Sequence, residues 1–141
     1  MPVVFHALQP LVLKNRRFLK LFIHQLFEKE RKSLQTLDII FCSDEYLLDI
    51  NNKHLHHNYY TDIITFDLSD PASTQTIGEL YISVDRVKDN ALSLQTKLST
   101  ELLRVIFHGA LHLCGFKDKS PKDIKRMREK EDEYLEMYYK G

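Results

Sequence analysis

The sequence predicts a single α+β domain in which one small mixed β-sheet is covered by helices. Three observations lead there. The 141 residues match the length of one domain, enough to bury roughly two-thirds of the unfolded surface without disulfides. Hydrophobic residues make up 43%, with eight Phe and seven Tyr against four Gly and four Pro. That supply of core material excludes disordered, fibrous and collagen-like chains. Finally, the hydrophobic period switches between strand and helix in the order β-α-β-α-β-β-α-α-α, with no repeat, linker or low-complexity tract, so residues 1–141 form one unit.

Pro2 to Leu8 (VVFHAL) reads as a short strand. From Lys14 to Arg31, apolar Phe18, Leu19, Leu21, Phe22, Ile23, Leu26 and Phe27 recur at helical spacing, with basic residues on the outer face. Leu37 to Cys42 (LDIIFC) is rich in β-formers. Ser43 then offers an N-cap, Asp44 and Glu45 suit the first turn, and a helix runs to about Lys53. A polar, histidine-rich loop is predicted from His54 to Tyr60, followed by a short strand, Ile63 to Phe66. Ser69 to Thr76 forms a turn on Pro and small polar residues, and Ile77 to Val84 forms the next strand. Helices follow at about Asp85–Leu92 and at Ser99–Leu113, the second with Gly115 as its stop. Ser120-Pro121-Lys122-Asp123 starts the last helix, with Ser at the N-cap, Pro at the first position and an acid at the third, and the helix runs to about Tyr139.

Cys42 and Cys114 lie in apolar stretches without a CxxC pattern. They are read as buried, reduced thiols with no disulfide-linked partner. The N-terminal charges follow the apolar part, the reverse of a signal peptide, and no apolar run approaches the ~20 residues of a membrane span. A soluble, cytoplasmic protein without a membrane partner is expected. Net charge is zero but segregated. Lys14–Lys32 carries about +5, Thr36–Asp70 about −6, Lys117–Lys130 is basic, and Glu131–Glu136 is acidic. Solvated helix faces account for such a pattern, and it also permits a local anion-binding face.

The segment Phe107-His108-Gly109-Ala110-Leu111-His112-Leu113-Cys114-Gly115-Phe116-Lys117-Asp118 carries the chemistry. His108 and His112, four apart on a helix, project from one face and can reach one metal ion at about 2.0–2.1 Å. Gly115 can end the helix in a left-handed conformation and turn the chain back, so that Asp118 supplies an oxygen as third ligand. The spacing is that of the extended zincin motif, on a helix and the turn after it. Asp118 also suits the approach to the next helix N-terminus. Gly109 costs about 1 kcal/mol inside a helix, so it points to a larger side chain crowding the metal or a packed neighbour. It also stands where HExxH proteases place their general base, which argues against peptide hydrolysis by that route.

HGALHLCG followed by an acid resembles the H-G-x-L-H-L-x-G-Y-D-H signature of the YbeY family of metal-dependent endoribonucleases. Asn51 to Phe66, ending Thr61-Asp62-Ile63-Ile64-Thr65-Phe66, resembles that family's N-x9-T-D-V-L-S-F block. Gly78 to Val87 resembles its G-[DE]-I-x-I-S-x-[DE]-x-[AV] block. The resemblance implies a bacterial, cytosolic, zinc-type metalloprotein holding one ion and cleaving RNA in ribosomal RNA maturation and ribosome quality control. It also implies a small sheet sandwiched by helices, related to the zincin fold. The sequence departs from the family twice. Asp118 stands where the family's third ligand is usually His. Leu55 stands where members often carry an Arg thought to matter for activity, so His56, His57 and Lys53 become the candidates for a replacement catalytic group.

Lys117, Lys122, Lys125 and Arg126 follow the proposed ligands directly and are candidate phosphate contacts, with the Lys14–Lys32 face as a second. Tyr59, Tyr60 and Phe116 are candidates for stacking on bases, with core packing the plainer role for Phe116. Three readings compete: an RNA-cleaving metallohydrolase, a ribosome-associated binding protein with a structural metal, and a metallohydrolase of another substrate. Three ligands without an evident fourth favour an open, catalytic site.

Overall fold

A computed structural model describes residues 2–57 and 59–141. The elements run β1 (Val3–Ala7), α1 (Arg16–Lys29), β2 (Ser33–Cys42), α2 (Asp44–Leu55), β3 (Ile63–Asp67), β4 (Gln75–Ser83), α3 (Val84–Leu94), α4 (Leu98–Leu113) and α5 (Pro121–Lys140). The strands form one sheet in the order β1-β2-β4-β3. β1, β2 and β4 are parallel, and β3 closes one edge antiparallel to β4, pairing Ile63 with Ile82 and Asp67 with Gly78. The predicted α+β class and element order are those of the molecule.

Strand alternation divides the core. Leu37, Ile39 and Phe41 of β2 and Leu80 and Ile82 of β4 join the main cluster with Leu19, Ile23 and Phe27 of α1 and Ile106, Phe107 and Ala110 of α4. Met127, Tyr134 and Leu135 of α5 complete it. Cys42, Leu47 and Ile64 make a smaller cluster with α2. Each large apolar side chain buried this way contributes about 1.5–3 kcal/mol.

Several boundaries differ from expectation for local reasons. β2 begins at Ser33, ahead of its apolar run, because Ser33 and Leu34 pair with Gln75 and Thr76 of β4 before a register shift. α2 extends through His54 and Leu55, and its last turn closes at His56, which takes a left-handed φ of 56°. The predicted His54–Tyr60 loop therefore starts two residues late, and Asn58 within it lies outside the described residues. Ser43 and Ser120 cap as expected, accepting from the backbone N–H of Tyr46 and Asp123. Ser83 caps α3 by accepting from Arg86, so that helix begins at Val84.

Cys42 is buried, whereas Cys114 is only half-buried. Both thiols are free, and burial pushes each up to about 12. Among the described residues no helix is long and apolar enough to cross a membrane.

Candidate metal centre

α4 is buried nearly all round, and its polar residues Glu101, Arg104, His108 and His112 recur at intervals of three and four. They form a single stripe on an apolar helix. Gly109, about a quarter turn round the helix from His108, sits against the sheet: an added Cβ would lie 2.7 Å from Ile63 Cδ1 and 2.8 Å from Leu80 Cδ2. The crowding predicted there is with packed neighbours. Beyond the helix, Gly115 adopts φ 103°, a conformation costly for any residue with a Cβ. That turn lets the Phe116 carbonyl accept from His112 Nδ1 at 2.9 Å and returns Asp118 to the histidines.

His108 Nε2 lies 3.0 Å from His112 Nε2, and Asp118 Oδ2 lies 3.2 Å from His112 Nε2 and 3.3 Å from His108 Nε2. Hydrogen bonding at the far side of each ring defines the tautomers. The Phe116 carbonyl can only accept, so His112 carries its hydrogen on Nδ1. His108 Nδ1 faces the Glu131 carboxylate at 2.7 Å and likewise donates. With both rings neutral, two nitrogen lone pairs and a carboxylate oxygen then face one another with no hydrogen between them, an arrangement that a cation at its centre would stabilise. The edges of about 3.0–3.3 Å approach those of a tetrahedron with ligands at about 2.0–2.1 Å. The donor set fits a divalent metal ion. The three predicted ligands are the only such group among the described residues.

Burial opposes charge on His108, but the hydrogen bond to Glu131 and the carboxylates of Glu131, Asp118 and Asp62 hold its pKa above the ordinary imidazole value. Glu131 is 5% exposed at the side chain and is paired through its other oxygen with Arg104 at 3.0 Å. Arg104 also bonds Asp132 at 2.7 Å. Beside the histidines opens a cleft of about 990 Å³ whose lining includes Asp62, Arg104, Lys125 and Arg128. Burial raises the Asp62 carboxyl above the usual carboxylate range, against the opposing charge of His108. Asn90 Nδ2 donates to it at 3.4 Å.

The other predicted residues divide. Lys125 lines the cleft and has no ion pair among the described residues. Lys117, Lys122 and Arg126 are exposed, and the Arg126 guanidinium sits 5.9 Å from the Phe116 ring centre. Lys130, the end of the predicted basic face, is buried: it pairs with Glu30 at 2.9 Å and lies over the Phe116 and Tyr134 rings. Phe116 packs against the core. Tyr59 and Tyr60 are exposed, and Arg86 lies 4.9 Å from the Tyr60 ring centre. Lys53 pairs with Asp49 at 3.1 Å. His57 stacks on Tyr59, whose hydroxyl meets its Nδ1 at 3.0 Å. His56 and Leu55 are exposed at the end of α2.

Sequence reasoning missed Glu131, Arg104 and Asp62. Glu131 read as part of an acidic run, yet it falls on the same helical stripe as Met127, Tyr134 and Leu135, and an acid on an apolar stripe signals a buried, paired charge. Arg104 was legible as the residue one turn before His108.

A sequence model of the family described as endoribonuclease YbeY matches residues 11–139. The endoribonuclease YbeY of Cytophaga hutchinsonii is 46% identical over 125 residues, covering 89% of this chain and 87% of that protein. Those of Christiangramia forsetii (41% identical, covering 96% and 93%) and Porphyromonas gingivalis (45%, covering 87% and 80%) are similar over comparable spans. The solution structure of TM1509 from Thermotoga maritima superposes with a TM-score of 0.65 at 26% identity, covering 96% of this chain and 89% of that one. With the motif block, the helix order and nearly the whole length matched, the chain belongs to the endoribonuclease YbeY family.

Proposed function

We propose that this chain is a zinc-dependent endoribonuclease that hydrolyses RNA phosphodiesters in ribosomal RNA maturation and ribosome quality control, acting in the cytoplasm with ribosomal RNA and the ribosome as its partners. The observation that carries the reading is the convergence of His108 Nε2, His112 Nε2 and Asp118 Oδ2 within 3.3 Å, with His108 and Asp118 in the wall of a cleft.

His108, His112 and Asp118 would hold one ion. When bound, such an ion supplies Lewis-acid polarisation of a phosphoryl oxygen and activation of water. The chain's own residues do the rest. Lys125 brings a positive charge to the cleft, where it can engage a phosphate of the RNA backbone. Lys117, Lys122 and Arg126 extend that charge along the start of α5, and phosphate contacts of this kind orient a strand without reading its sequence. Asp62, in the cleft wall with its carboxyl pKa raised by burial, has the character of a general base. At Leu55 an aliphatic side chain cannot supply charge to the pentacoordinate phosphorus, so that task falls to cleft cations, with Lys125 first among them.

The test is cleavage of ribosomal RNA by the purified protein with and without chelator, beside metal analysis. Chelator-sensitive cleavage with one zinc per chain is expected. Cleavage that persists without metal, or metal binding without cleavage, overturns the reading.

A further inference from the structure

Glu131 has a geometry that an acidic residue in a solvated run would not need. Its side chain is 5% exposed, and its two oxygens are divided between two tasks. Oε2 accepts from His108 Nδ1 at 2.7 Å, while Oε1 accepts from Arg104 at 3.0 Å, with Arg128 at 3.6 Å. Arg104 is anchored in turn by Asp132 at 2.7 Å. The chain Asp132–Arg104–Glu131–His108 thus ties α5 to α4 on the side of the imidazole away from the candidate metal site. His112 is held differently, by a backbone carbonyl.

We infer that Glu131 is a positioning residue of the metal centre: it fixes His108 as the Nδ1–H tautomer and so aims the Nε2 lone pair at the ion. This inference rests on the metal-site reading above. A carboxylate opposite the ligating nitrogen orients the ring and strengthens it as a donor, and losing such a partner costs about 10–100-fold in metal affinity. Arg104 restrains the carboxylate so that it does not turn toward the cleft and compete with Asp118 for the cation. Because Glu131 lies 23 residues beyond His108 on another helix, the donor strength of the site depends on how α5 docks.

The test uses the full chain, freed of metal, in two measurements. Zinc affinity is measured by competition with a chromophoric chelator for the parent, Glu131→Gln, Glu131→Ala and Glu133→Gln. Long-range 15N NMR on the metal-free parent and Glu131→Ala, at alkaline pH, reports which His108 nitrogen carries hydrogen. Glu131→Gln should bind zinc about tenfold more weakly and Glu131→Ala up to about 100-fold, with Glu133→Gln close to the parent. His108 should be Nδ1-protonated in the parent and shift toward the Nε2–H form in Glu131→Ala. Glu131→Gln keeps the side-chain volume, so it reports even where Glu131→Ala folds poorly. Unchanged affinity in Glu131→Gln, or an Nε2–H tautomer in the parent, overturns the inference. A parent that binds no zinc instead overturns the metal reading, and the NMR result still decides the role of Glu131 toward the His108 ring.

Discussion

The Nδ1–H of His112 donates to the carbonyl of Phe116 at 2.9 Å. This bond joins a ligand candidate on α4 to the turn that follows it, and Gly115 makes it possible by taking φ 103°. The same turn sets where Asp118 arrives, so helix termination and assembly of the site are one event.

Gly115→Ala should therefore affect stability and metal binding together. An added Cβ meets no atom within 4 Å, so the cost is backbone strain alone, about 1–3 kcal/mol. Thermal unfolding and zinc titration should both register it. A variant as stable as the parent would show that the turn relaxes freely.

Asp118 distinguishes this donor set. Asp118→Ala should lose most metal affinity, and Asp118→Asn should bind weakly because an amide oxygen is the poorer donor. Asp118→His should retain metal, and by removing one negative charge it should move the pH–activity profile to lower pH. Metal content and pH–rate profiles of the three variants check this. Parent-like binding by Asp118→Ala would return Asp118 to the role of a helix-approach acid. His108→Ala and His112→Ala should each abolish stoichiometric binding.

Metal affinity should also depend on pH through His108. Burial disfavours its charged form, but Glu131 and the neighbouring carboxylates outweigh that, so in the metal-free protein His108 holds its proton to higher pH than a free imidazole. Proton and metal compete for Nε2. Zinc affinity should begin to fall with acidification above the ordinary imidazole range. Calorimetry in buffers of different ionisation enthalpy would reveal the proton released.

RNA binding should weaken steeply with salt, since phosphate contacts release counterions. Lys125→Glu should lower the slope of log affinity against log salt by about 0.7 or more for a single strand. Lys122→Glu and Arg126→Glu, outside the cleft lining, should change it less. Equal effects from all three would place the RNA path along the outer face of α5.

Acid stability should depend on Glu30. Burial pushes its carboxyl pKa up, but hydrogen bonds from Tyr134 and Lys130 and the charges of Lys130 and Arg126 bring it below the ordinary glutamate value. The unfolded chain then binds the proton more readily, so this stabilisation is full above the unfolded value and is lost as pH falls through the folded one. Glu30→Gln should cost about 1.5–3 kcal/mol at neutral pH, the range for hydrogen bonds to a charged group. It should also flatten the loss of stability below pH of about 4.3. Denaturant unfolding at neutral and acid pH measures both.

The α+β class, the order of nine elements, two of the caps and the three convergent donors were legible in the amino-acid pattern, because all depend on spacing along a few turns of chain. Helical periodicity puts His108 and His112 on one face whatever surrounds them, and a glycine followed by an acid brings Asp118 into reach. Tertiary structure decided what lies at long separation. Glu131 reaches His108 only because α5 packs on α4, and Asp62 enters the cleft wall only because β3 pairs antiparallel with β4 beneath that helix. Lys130 and Lys125 look alike in a basic run, yet one is buried against Glu30 and the other faces the cleft. A local pattern can show that a charge sits on a helix, but only the packing of that helix shows whether it meets solvent, a partner or the site.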